Sequence, residues 1–127
     1  MTSAMDAMLL ACALHSFAFA VFHLAFWKLF RWPETLQGTT LANRAIIQIA
    51  NVQLVWVFLL VGALCLLFPD ELATTPLGRA LLAGMSLFWL IRLAGQFVWL
   101  RVNHWLAHLL SVLFALGAVL FALPLFA

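Results

Sequence analysis

The sequence predicts an all-α integral membrane protein, an up-down four-helix bundle that forms a single domain over residues 1–127. Of these 127 residues, 68% are hydrophobic and 8% are charged, whereas a soluble domain carries about 25% charged residues. A bilayer accommodates this much apolar surface, and a soluble fold of the same size could not bury it. The apolar residues also form long runs and do not alternate with polar ones, as barrel strands would.

Four of the apolar runs are long enough to cross a bilayer as helices, which takes about 20 residues each. They cover residues 7–30, 45–68, 80–100 and 105–126. The first run lacks a preceding Lys or Arg and continues to Phe30, so it is interpreted as a retained helix and not as a signal peptide. Thr40 or Asn43 is the expected N-cap of the second helix.

Turn-forming residues separate the runs. Pro33 is expected to stop the first helix and Pro69 to follow the end of the second, because proline cannot continue a helix. Thr75 is the expected N-cap of the third helix, with Pro76 at its first position. The last link, residues 101–104, is so short that the third and fourth helices must be antiparallel neighbours.

The charges predict an orientation in the membrane. Basic residues flank the first and third connections, namely Lys28, Arg31, Arg44 and Arg101. The opposite face carries Arg79 together with Asp6, Asp70 and Glu71. The positive-inside rule therefore places the first and third connections in the cytoplasm and both termini on the non-cytoplasmic side.

Polar residues from all four helices are expected to form one layer in the cytoplasmic leaflet. Most lie roughly 6–12 Å from the cytoplasmic helix ends, at about 1.5 Å per residue. The candidate ligand-binding residues are His23, Arg44, Gln48, Asn51, Arg92, Gln96, His108 and Ser111. On the second helix Arg44, Gln48 and Asn51 stand at i, i+4, i+7, as do His104, His108 and Ser111 on the fourth, so each set defines a single face. Because polar groups are costly in lipid, these faces are expected to point inward.

Arg92 is the least easily explained of these residues. No predicted span contains an Asp or Glu with which it could pair, and arginine stays protonated. It either snorkels to lipid phosphates or faces an anionic ligand, and the sequence leaves both open. For the amides and Ser111, hydrogen bonding between helices is the alternative to a ligand site.

This donor-rich layer without acids favours binding of an anionic or amphiphilic small molecule, with its transport as a further option. Membrane lipids are the other expected partners, and a homodimer would suit so small a chain. Nucleic acid is not expected, because the net charge of +2 forms no basic stripe. No catalytic residue is predicted, since no carboxylate accompanies a histidine and no G-x-S-x-G elbow is present.

The leading hypothesis requires no cofactor, but haem b is a defined alternative. His23 and His108 fall at similar depth on different helices and could be its axial ligands. Arg44 or Arg92 would then pair with the propionates. A divalent-metal site on His23, His104 and His108 is disfavoured, because the arginines would repel the cation.

A third hypothesis is a non-catalytic membrane subunit or assembly factor. Ala107, Ser111 and Ala115 form a small-xxx-small pattern on the fourth helix, which permits close helix contact. Cys12 and Cys65 sit in apolar runs without metal or disulfide spacing, and are interpreted as small buried hydrophobes.

Three strings resemble a group of uncharacterised small bacterial inner-membrane proteins that have four helices and no assigned function. The strings cover residues 22–32 (FHLAFWKLFRW), 43–48 (NRAIIQ) and 88–92 (FWLIR). The resemblance implies a multi-pass protein of the bacterial inner membrane, and it brings no activity and no site residues. The chain does not resemble the small multidrug exporters, which need a glutamate in the first span.

Overall fold

A computed structural model describes residues 3–127, which are helical with short connections. The helices are α1 (Ser3–Leu24), α2 (Phe26–Leu29), α3 (Trp32–Thr35), α4 (Leu41–Leu67), α5 (Pro69–Thr74), α6 (Pro76–Trp99) and α7 (Trp105–Phe126), with a 3₁₀ turn at Leu36–Gly38. Four of them, α1, α4, α6 and α7, are long and apolar enough to span a membrane. The all-helical fold class is thus confirmed, as is the presence of four helices that are long and apolar enough to span a membrane.

The first connection differs most from its prediction. The first helix was expected to reach Phe30 and stop at Pro33, but α1 ends at Leu24 and Pro33 lies in the first turn of α3. Proline is tolerated there, since N–H groups of a first turn have no helical acceptor. Between α2 and α3, Arg31 instead has left-handed backbone angles, with φ of 52° and ψ of 48°.

The helix caps agree with the sequence more closely than the helix lengths do. Thr40 Oγ1 accepts from the Asn43 N–H at 3.2 Å, so α4 begins at Leu41 and not at residue 45. Thr75 Oγ1 accepts from the Gly78 N–H at 3.0 Å, and Pro76 opens α6 as expected. Pro69 follows the end of α4 but also begins α5, a helix that the sequence did not predict.

The chain divides into two compact units, of which one comprises Ala13–Ala63. In this unit the latter part of α1 packs on α4. Gly62 permits the contact, because a Cβ there would lie 2.7 Å from the Phe17 ring. Phe58 is buried, and its ring centroid lies 6.1 Å from that of Phe19. Aromatic packing therefore holds the two helices of this unit together.

The other unit comprises Leu64–Ala127 together with the start of α1 up to Cys12. Here α6 and α7 run antiparallel, as predicted. Residues near the start of α6 contact residues near the end of α7, and residues near the end of α6 contact residues near the start of α7. Ser86 Oγ donates to the Ala118 carbonyl at 2.7 Å. Arg79 donates to the Leu125 carbonyl at 2.7 Å and to the Ala73 carbonyl at 3.1 Å.

Candidate functional site

The polar residues of the Ala13–Ala63 unit bond directly to one another. Asn51, which is 4% exposed, donates from Nδ2 to the His23 carbonyl at 2.8 Å. Its Oδ1 lies 2.6 Å from His23 Nδ1. Because an amide oxygen only accepts, His23 carries a proton on Nδ1 in this contact. The two residues thus bond reciprocally, and the backbone bond from Asn51 falls where α1 ends.

Gln48 makes the second link in this unit. Its Oε1 accepts from the indole N–H of Trp27 at 2.9 Å, and its Nε2 donates to the Arg44 carbonyl at 3.0 Å. The amides of Gln48 and Asn51 therefore connect the segment around α2 to α4. These amides therefore make hydrogen bonds between helices, which was the alternative to a ligand site.

Gln96 is the centre of the polar cluster in the other unit. It is 3% exposed and bridges α6 to α7. Its Nε2 donates to the Ala107 carbonyl at 3.1 Å and to Ser111 Oγ at 3.3 Å. Its Oε1 accepts from Arg92 Nη1 at 3.1 Å. Ser111 Oγ in turn donates to the Ala107 carbonyl at 3.0 Å, so every member of the cluster has a partner.

Arg92 lies on an exposed position of α6. Its guanidinium carbon sits 4.5 Å from the centroid of the Phe114 ring, a cation–π contact. Phe114 also stacks on buried Trp89, with the centroids 5.7 Å apart. Between residues 3 and 127 the one ion pair joins Arg31 to Glu34, so the charge of Arg92 is met by an amide oxygen and a π face.

A pocket opens where the link between α6 and α7 meets the two helices. Its volume is about 510 Å³. Its polar lining residues are Gln96, Arg101, Asn103, His108 and Ser111. Its apolar lining residues are Phe97, Leu100, Val102 and Ala107. The pocket therefore offers several hydrogen-bond donors, one cation and an apolar wall, and no carboxylate lines it.

Two polar residues of the pocket, Arg101 and His108, make hydrogen bonds to neighbouring residues. Arg101 Nε donates to the Phe97 carbonyl at 2.9 Å, and a guanidinium has four further N–H donors. His108 Nε2 lies 2.8 Å from Asn103 Oδ1. Since Oδ1 is the acceptor, the amide nitrogen of Asn103 keeps its N–H donors for other partners.

The structure thus places the predicted residues in two groups. His23, Gln48 and Asn51 join in one unit, beside the backbone of Arg44. The others lie in the second unit, where Arg92 bonds to Gln96 and the pocket is lined by Gln96, His108 and Ser111.

Sequence reasoning missed Trp27, Arg101 and Asn103 as members of these groups. Asn103 was discoverable, because it is the one amide in a short link that precedes His108 by five residues. Arg101 was used for orientation alone, although the same link carries it into the pocket. Trp27 lies outside the polar spacing that selected the candidate residues, whereas its indole N–H has a side-chain acceptor.

No protein-family model, curated protein or solved structure matches the chain. Within residues 3–127 no group of three or more His, Cys, Asp or Glu side chains is placed to hold a metal ion. The chemistry of the pocket and of the two polar clusters is therefore the basis for a functional hypothesis.

Proposed function

We propose that this chain is a multi-pass inner-membrane protein, a four-helix bundle, that binds an anionic amphiphile in the pocket at the α6–α7 link. The observation that carries the proposal is the composition of the pocket. Arg101, Asn103 and His108 supply a cation and donors at one end, and Phe97 and Leu100 supply an apolar wall. A headgroup bearing phosphate or carboxylate suits the first set, and an acyl chain suits the second.

The volume and position of the pocket support the same ligand class. A volume of about 510 Å³ falls in the range of small-molecule sites, about 300–1,000 Å³. The positive-inside rule puts the α6–α7 link at the cytoplasmic face, where anionic lipid headgroups are concentrated. A lipid lying beside α6 could therefore present its headgroup to Arg101 while its chains stay in the bilayer.

Native mass spectrometry in detergent tests the proposal with dimyristoyl phosphatidylglycerol as the probe. We expect the wild-type chain to retain this lipid in preference to phosphatidylcholine with the same acyl chains. Arg101→Gln should weaken retention by at least about tenfold, because a hydrogen bond to a charged group contributes about 1.5–3 kcal/mol. Adding inorganic phosphate shows whether the free ion competes for the same donors.

Lys28→Gln is the matched control, since it removes one exposed positive charge at the same predicted membrane face. Lys28 does not line the pocket, so its loss should leave lipid retention unchanged. Equal effects of the two substitutions would indicate general attraction of anionic lipid and would contradict a specific site. Retention of neither lipid would favour the non-catalytic subunit or assembly factor.

Haem b binding remains the second candidate, and the geometry of His23 favours it. Metal-ligating histidines commonly donate their second ring N–H to a fixed acceptor. Asn51 Oδ1 provides such an acceptor 2.6 Å from His23 Nδ1, which places a lone pair on Nε2 in the neutral ring. His108 lies in the other unit, where its Nε2 is engaged with Asn103, so the observation that favours haem is confined to His23.

A visible absorption spectrum of the purified protein separates the two candidates. A Soret band that shifts on reduction, and that is lost in His23→Gln, would establish the haem protein. Its absence after purification from haem-supplemented cells would remove that candidate.

The proposed orientation is tested by labelling engineered cysteines in whole cells. Gln37 and Thr74 are exposed and lie in the first and second connections, respectively. With Cys12 and Cys65 replaced by serine, an impermeant maleimide should label Thr74→Cys and spare Gln37→Cys. The reverse pattern would contradict termini outside the cytoplasm.

A further inference from the structure

A second pocket, the α5–α6 pocket, opens at the start of α6, at the opposite end of that helix from the pocket at the α6–α7 link. Its volume of about 420 Å³ falls in the range of small-molecule sites, about 300–1,000 Å³. The end of α4, α5 and the start of α6 contribute its lining. Its polar side chains are those of Glu71 and Thr75, and its larger apolar ones include Leu64, Phe68, Leu77 and Leu81.

The backbone that carries Glu71 is held in place by the turn between α5 and α6. Thr75 Oγ1 donates to the Glu71 carbonyl at 2.6 Å and accepts from the Gly78 N–H at 3.0 Å. Gly78 is buried, and a Cβ at that position would collide with the Glu71 carbonyl and with Leu72. The start of α6 therefore packs directly on the backbone of α5, which fixes the position of Glu71 in the pocket lining.

The negative charge of Glu71 is not neutralised within the described chain. Glu71 is the one charged residue that lines the pocket, and it is exposed. Between residues 3 and 127 the single ion pair joins Arg31 to Glu34. The nearest basic residue along the sequence, Arg79, donates instead to the carbonyls of Ala73 and Leu125. A cation in the pocket would therefore meet a carboxylate that has no competing partner there.

The rest of the lining suits an apolar tail. Leu64 and Leu81 belong to helices that are long and apolar enough to span a membrane. Phe68 and Leu77 are large apolar side chains that are exposed beside them. Phe68 adds an aromatic ring, whose π face also attracts cations. The pocket thus combines one carboxylate with an apolar wall, whereas the pocket at the α6–α7 link combines a cation with one.

We propose that the α5–α6 pocket binds an amphiphilic organic cation, with its charged group at Glu71 and its alkyl tail against Leu64, Phe68 and Leu81. This site is separate from the anion site proposed above, because it lies at the other end of α6 and has the opposite charge. A zwitterionic phospholipid fits less well, since no basic residue lines the pocket to pair with its phosphate.

Native mass spectrometry of the full chain in dodecyl maltoside tests the charged group, with decyltrimethylammonium as the probe. Glu71→Gln should weaken retention of the probe about three- to fivefold, the effect of losing a partly exposed ion pair. Asp70→Asn is the matched control, because it removes the adjacent exposed carboxylate, which does not line the pocket. Equal losses in the two variants, or no loss in either, would overturn the proposal.

The apolar wall is tested with the same probe. Leu77 is 82% exposed, so Leu77→Ala leaves the core intact, and it should weaken retention about two- to fourfold by removing contact with the tail. Leu87→Ala, at another exposed position of α6 outside the pocket, should have no effect. Phosphatidylethanolamine is the comparison ligand, and its retention should be the same in the wild type and in Glu71→Gln. If Glu71→Gln instead releases this lipid and leaves decyltrimethylammonium bound, the pocket holds a lipid amine and the assignment of an organic cation is wrong.

Discussion

Replacing Gln96 by leucine removes the side chain that joins α6 to α7 at the pocket, with little change in volume. Three hydrogen bonds are lost, to Arg92 Nη1, the Ala107 carbonyl and Ser111 Oγ. Side-chain hydrogen bonds in membrane proteins contribute about 0.6 kcal/mol each on average, so the loss totals roughly 2 kcal/mol. The Ala107 carbonyl keeps its bond from Ser111, which limits the loss to about 1–2 kcal/mol.

Equilibrium unfolding in mixed micelles, monitored by circular dichroism, measures this loss. Gln53→Leu is the matched control, because it makes the same change on α4 at an exposed position. It should leave the free energy of unfolding unchanged or raise it, since an amide facing lipid is unfavourable. If Gln96→Leu is as stable as the wild type, or if Gln53→Leu costs as much, the cluster does not stabilise the α6–α7 pair.

Two glycines of α6 should respond oppositely to alanine. Gly78→Ala would drive a Cβ into the Glu71 carbonyl and the Leu72 backbone, and should cost about 1–3 kcal/mol. Gly84→Ala meets nothing within 4 Å and should gain up to about 1 kcal/mol from helix propensity. Arg31→Gly should stabilise the chain by about 0.5–1 kcal/mol, because Arg31 has a left-handed backbone. Lys28→Gly, in helical α2, should instead destabilise it by a similar amount. Unfolding free energies measured side by side check all four signs.

Much of the fold was predictable because long apolar helices are encoded by local composition. The run at residues 105–126 and α7 coincide, since the link before it is polar and His104 caps it through a bond from the Leu106 N–H. Thr75 and Pro76 were likewise readable as a helix start, because cap and first-turn preferences depend on adjacent residues.

The features that sequence reasoning missed depend on partners that are distant along the chain. α1 was predicted to reach Phe30 but ends at Leu24. At that end, the His23 carbonyl accepts a hydrogen bond from Asn51 on another helix. The Cys12 thiol donates to the Leu120 carbonyl, which lacks a helical donor because of a proline on α7. Hydropathy and periodicity do not predict such contacts between residues that are distant along the chain.

The candidate site was predictable in part. Periodicity correctly placed Gln96 and Ser111 on facing helix surfaces, because residues i and i+4 share one side of a helix. It also suggested that Arg92 points inward, and its guanidinium does contact Gln96 and Phe114, although the residue occupies an exposed position. An arginine has a long flexible stem, so its Cα position alone does not determine the location of its charge.

Photolabelling tests the central claim, a site for an anionic amphiphile at the α6–α7 link, most directly. The probe is a phosphatidylglycerol with a diazirine on the acyl chain close to the headgroup, incorporated into phosphatidylcholine nanodiscs with the protein. Mass spectrometry of the digested chain should place the label on residues 97–111, which include most of the pocket lining. Excess unlabelled phosphatidylglycerol should abolish that label. Labelling spread evenly over the exposed faces of all four long helices, unaffected by competitor or by Arg101→Gln, would contradict the site.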